Sequence, residues 1–62
     1  MNDFVELTAL DDRKILVRKS AIILVQANFA ASGISANANA LVNVGGMQQG
    51  FKETVAEVAA KL

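Results

Sequence analysis

Apolar and polar positions alternate at the start of the chain. In Phe4-Val5-Glu6-Leu7-Thr8-Ala9, Val5, Leu7 and Ala9 fall on one side, and Glu6 and Thr8 on the other. A period of two in β-tolerant residues predicts a half-buried strand. Asp11-Asp12 marks a turn, because short acidic side chains bond neighbouring backbone and tolerate tight conformations. The alternation resumes from Lys14 to Arg18, with Ile15 and Val17 inward and Lys14, Leu16 and Arg18 outward. Two strands and a short polar turn make a hairpin.

Arg18-Lys19-Ser20 breaks the pattern before Ile22-Ile23-Leu24-Val25-Gln26-Ala27. This short run is rich in β-branched residues and predicts a central strand buried on both faces. A helix from Ser20, as N-cap, to Ala31 is the competing reading, with Gly33 as its stop. Asn28 to Asn39, rich in Ala, Asn, Ser and Gly, reads as a loop. Ala40 to Val44 is a further strand. Gly45-Gly46 supplies the positive φ that a two-residue hairpin turn needs, and Met47 to Lys52 returns with Phe51 as its apolar anchor. Thr54-Val55-Ala56-Glu57 fits a capping box at the start of a helix. Val55, Val58, Ala59 and Leu62 form one helical stripe, and Glu57 and Lys61 stand four apart on the other side. The pattern predicts one α+β domain over residues 1–62: a small antiparallel sheet of four or five strands with one C-terminal helix.

Composition narrows what such a domain does. Of the 62 residues, 53% are apolar and 19% charged, and six basic groups balance six acidic ones. That apolar content separates the chain from disordered tails, and the charge balance removes a global field for steering toward nucleic acid or an anionic membrane. With no Cys there is no disulfide and no thiol nucleophile, and with no His the usual neutral-pH base is missing. Small domains commonly add disulfides, a structural metal or a partner subunit to a limited core. Elimination leaves the partner. Charge placement points the same way: every charged side chain lies in Asp3 to Lys19 or Lys52 to Lys61, and residues 20–51 carry none. Charge depletion with apolar and small polar residues retained is the composition of an interface core. Ile23, Val25, Phe29, Leu41 and Met47 are the candidate interface residues, and the expectation is a homo-oligomer.

The start Met1-Asn2-Asp3-Phe4 does not read as a signal peptide, and the longest wholly apolar run, Ala21 to Val25, is far short of the roughly 20 residues of a membrane span. A cytoplasmic location without a membrane partner is the expectation.

Other chemistries find little support. Arg13, Lys14, Arg18 and Lys19 would form a small cationic hairpin strip able to meet phosphates, but Asp11 and Asp12 adjoin it and no Tyr or Trp interleaves it to stack bases. A strand edge protected by charge is the simpler meaning. Asp11-Asp12 lacks the spaced ligands of a calcium loop. The hydroxyls Thr8, Ser20, Ser32, Ser35 and Thr54 have no His to activate them. Gly45-Gly46 lacks the Gly-Lys-Ser/Thr of a phosphate loop. No catalytic residue, cofactor or metal ligand is expected.

The order Val5-Glu6-Leu7-Thr8-Ala9-Leu10-Asp11, Ile15-Leu16-Val17, Ile22 with Val25, Leu41 to Val44, Gly46, and Phe51-Lys52-Glu53-Thr54-Val55-Ala56-Glu57-Val58 resembles the small bacterial flagellar and swarming-motility proteins and their short relatives. The most specific piece is Lys52-Glu53-Thr54 with Glu57-Val58. Asp12 departs from that pattern where the family often has Gly, and Arg18-Lys19 replaces an Asn-Pro-type turn. The resemblance implies a small antiparallel sheet with a C-terminal helix, an accessory or regulatory role without catalysis, and structural parts for Thr54 as cap, Gly46 as turn, and Val55 and Val58 as core. The functional expectation is a non-enzymatic interaction protein that self-associates. The alternative is a nucleic-acid-binding regulator using the basic hairpin.

Overall fold

A computed structural model describes residues 3–62. Five strands and one helix follow in the order β1 (Phe4–Thr8), β2 (Lys14–Arg18), β3 (Ile22–Ala27), β4 (Ala40–Val44), β5 (Met47–Phe51) and α1 (Val55–Lys61). A 3₁₀ turn, Lys19–Ala21, takes the place of the N-terminal part of the competing helix, and the β-branched run after it is extended.

The strands form two antiparallel sheets, β1-β2 and β3-β4-β5, where one sheet was expected. The break falls between β1 and β5. There the Lys52 N–H donates to the Thr8 carbonyl at 2.9 Å. The Thr8 N–H, however, meets the Glu53 carboxylate at 2.8 and 2.9 Å instead of a backbone carbonyl. One side chain thereby ends the ladder.

In β1-β2, Val5 faces Val17 and Leu7 faces Ile15, which fixes the inner face. The connecting turn uses Asp12 at φ 72, a left-handed conformation that Asp adopts more readily than most residues. In the second sheet Gly45 and Gly46 have φ of 60 and 93, the two successive positive values of a type I′ turn. Asn43 Oδ1 accepts from the Gly46 N–H at 2.9 Å and braces it.

That tight turn sets β5 beside β4, so β4 takes the central position. The expectation that Ile22 to Ala27 is central and buried on both faces is corrected: β3 is an edge strand, paired with β4 only, and half-exposed. Its register shifts between Ile22 and Leu24, leaving Ile23 in a bulge.

Val5, Leu7, Val17, Ala40, Val42, Phe51 and Val58 form the main core, with Ile15, Ile22, Val25, Val44 and Val55 packed around it. A second, smaller contact covers the other face of β4-β5. Leu41 stands opposite Gly50 there. A Cβ at Gly50 would lie 2.8 Å from both the Ala38 Cβ and the Ile34 Cγ2, so the loop after β3 sits directly on the strand backbone. Asn28 holds that loop. Its amide nitrogen donates to the carbonyls of Ser35 (3.0 Å) and Ala38 (3.1 Å), and its oxygen accepts from the Phe29 N–H and the Ser32 hydroxyl.

Helix α1 has the full capping box: the Glu57 N–H donates to Thr54 Oγ1, and the Thr54 N–H donates to the Glu57 carboxylate. Only part of the expected stripe is used. Val58 is buried and Val55 half-buried, whereas Ala59 and Leu62 are exposed. Seven residues are too few to carry the stripe as far as Leu62 on the core. The spacing Glu57–Lys61 makes no ion pair, because Glu57 is held by the cap and the Lys61 ammonium donates to the Glu6 carbonyl at 3.0 Å.

Candidate functional site

The charge-free half places several large apolar side chains in solvent. Ile23 is 68% exposed, Met47 66%, Leu24 49% and Phe29 48%. Their positions follow from the topology. Ile23 and Leu24 sit at the bulge near one end of β3. Met47 opens β5 at the same end, since Ile22 pairs with Val44 and Val44 with Met47. Phe29 follows the other end of β3 and is itself extended, with φ −142 and ψ 156. Val25, half-buried, turns into the main core.

Four of the five candidate interface residues thus lie on or beside β3 or at the neighbouring hairpin. Leu41 does not belong with them: it is 1% exposed, central in the sheet and covered by the loop, and is corrected from interface to core. Leu24 was missed. Leu24 faces out by alternation with inward Val25, whereas the bulge turns Ile23 out, and a continuous apolar run signals neither which parity is inward nor where it bulges.

The basic residues are dispersed. The Arg13 guanidinium donates to the Asp11 carboxylate at 2.7 Å. Lys14 Nζ donates to Thr8 Oγ1 at 3.0 Å. Arg18 lies over the Phe4 ring, 4.9 Å from its centroid. Lys19 sits in the 3₁₀ turn beside a shallow cleft that it lines with Asp3, Arg18 and Ser20. Lys14, Leu16 and Arg18 share the outer face of β2, but Glu6 stands across from Leu16 and interrupts the strip.

Four of the six carboxylates, Asp11, Asp12, Glu53 and Glu57, are engaged in the fold. Burial pushes the Glu53 carboxyl up, but the Thr8 N–H and hydroxyl, with the Lys61 charge nearby, outweigh it and hold its pKa below the ordinary 4.5. The Arg13 backbone N–H, assisted by its guanidinium, lowers that of Asp11. Asp12 accepts from the Lys52 ammonium. A second shallow cleft is lined by Thr8, Lys52, Glu53 and Glu57, all four already hydrogen-bonded within the fold. Among the described residues, no three Asp or Glu side chains gather where they could hold a metal ion, and no helix is long and apolar enough to cross a membrane.

No family model, curated protein or solved structure matches the chain.

Proposed function

We propose that this protein is a non-enzymatic interaction module that associates with copies of itself through its uncharged half. The carrying observation is the exposure of Ile23, Leu24, Phe29 and Met47 in a stretch without a single charged side chain. Scattered apolar residues are ordinary on a surface, but Ile23 and Leu24 on an uncharged edge strand, with Phe29 just after it, are an arrangement that proteins usually avoid unless it meets another chain. The resemblance to small flagellar and swarming-motility proteins adds a role as an accessory in a larger bacterial assembly.

Light scattering across micromolar to millimolar concentrations tests the reading. A mass above 6.5 kDa that rises with concentration supports it, and loss of that rise in Ile23→Lys and Met47→Lys assigns it to this surface. A constant monomer mass overturns it.

A further inference from the structure

We infer that two copies join along β3, edge to edge and antiparallel, so that their three-stranded sheets become one six-stranded sheet. This rests on the self-association proposed above and specifies its geometry. The strand edges differ in how far they are closed. The outer edge of β1 is occupied by the C-terminal segment: Glu53 receives the Thr8 N–H, Lys52 bonds the Thr8 carbonyl and Lys61 bonds the Glu6 carbonyl. The outer side of β2 is flanked by Arg13, Lys14, Arg18 and Lys19, the charged protection that keeps strand edges apart. The outer edge of β5 is also uncharged, but its C-terminal end is tied to β1 by the Lys52–Thr8 bond and it runs through Gly50, which weakens a strand. β3 has no such bonds, and its bulge at Ile23 leaves Leu24 to Ala27 in regular register. It holds no charge, no Pro and no covering side-chain bond to its outward backbone among the described residues.

The parity of the strand shows which groups are free. The Asn28 N–H donates to the Asn39 carbonyl, so 24, 26 and 28 turn their backbone toward β4. Val25 and Ala27 therefore point theirs outward. The free edge ends at Ala27, because the Phe29 N–H donates to Asn28 Oδ1 and its carbonyl accepts from the Ser32 N–H.

A second copy is the occupant that suits this edge. A two-fold contact sets every residue near its own copy, so a charged strand would meet its like charge. The absence of charge from 20 to 51 removes that penalty for self-pairing. With Gln26 on the axis, Val25 of each copy exchanges backbone bonds with Ala27 of the other. Ile23 then lies opposite Phe29 of the second copy, which pairs two of the exposed apolar side chains. Backbone parity permits this register among others, and the Ile23–Phe29 pairing selects it.

Because the chain has no cysteine, Gln26→Cys introduces a single thiol at the axis. A non-hydrogen-bonded antiparallel pair brings its Cα atoms to about 4.5 Å, within disulfide reach. Mild copper-phenanthroline oxidation is expected to convert most of this variant to a covalent dimer, while Leu16→Cys, exposed on the other sheet, stays monomeric. Ala27→Pro removes an outward N–H that has no partner among the described residues. It is expected to abolish association, with circular dichroism confirming that the fold persists. If the wild type associates but Gln26→Cys crosslinks no better than Leu16→Cys, the β3 pairing is wrong while self-association stands. If the wild type never associates, both fall.

Discussion

Two residues show how far single side chains determine this fold. Gly50 is required by space. The Ala38 Cβ that an added methyl would meet at 2.8 Å belongs to a short side chain that cannot rotate away. Gly50→Ala is therefore expected to cost about 1–3 kcal/mol by overpacking, read from urea denaturation, and to loosen the 28–39 loop. Glu53 is required by hydrogen bonding, as the acceptor for both donors of Thr8. Its pKa is lower in the folded chain than the ordinary 4.5, so its contribution is complete above that value and disappears as acid protonates it. Unfolding followed from pH 7 downward should show stability falling below about pH 4.5, less steeply in Glu53→Gln. Asp11, also lowered, keeps part of the acid dependence in that variant. Neither role has a pattern in the sequence. Gly50 stands in an ordinary polar strand, and Glu53 reads as a helix-flanking charge until Thr8 is placed beside it. Asp12 was more legible, since it stands where the resembling family often has Gly and it adopts φ 72.

At the scale of elements, local signals were readable and neighbour relations were not. Alternation located β1 and β2, the Gly45-Gly46 pair located the β4-β5 turn, and the capping box located α1. Each of these is specified within a few residues. The position of β3 depends on what lies beside it, and apolar content misplaced it at the sheet centre. Bulged Ile23 and half-exposed Leu24 show why: a continuous apolar run does not distinguish two buried faces from one buried face and one waiting face. The helix offers a clean test at this scale. Thr54→Ala removes one half of the capping box, and is expected to cost about 0.5–2 kcal/mol. Because α1 has only seven residues, NMR chemical shifts should show its first turn fraying while the sheets remain, and Val58 losing protection with it.

For the whole molecule, the distribution of charge matters more than its sum. A net charge of zero conceals an uncharged central half between two charged ends; Lys52, Glu53 and Lys61 close the backbone edge of β1, while α1 packs against β3 through the core. Two strand edges remain open among the described residues, β3 and β5, and β3 is the longer. Ile23, Phe29 and Met47 lie exposed, whereas Leu41 went to the core because β4 took the centre. An edge contact between strands this short buries little area, so weak association, on the order of micromolar, is expected. Sedimentation equilibrium of the unmodified chain is the most direct measurement. A monomer–dimer equilibrium with limiting masses of 6.5 kDa and twice that value is the result this account requires. A single 6.5 kDa species at every concentration up to about millimolar, the range in which even weak specific interfaces form, would contradict it.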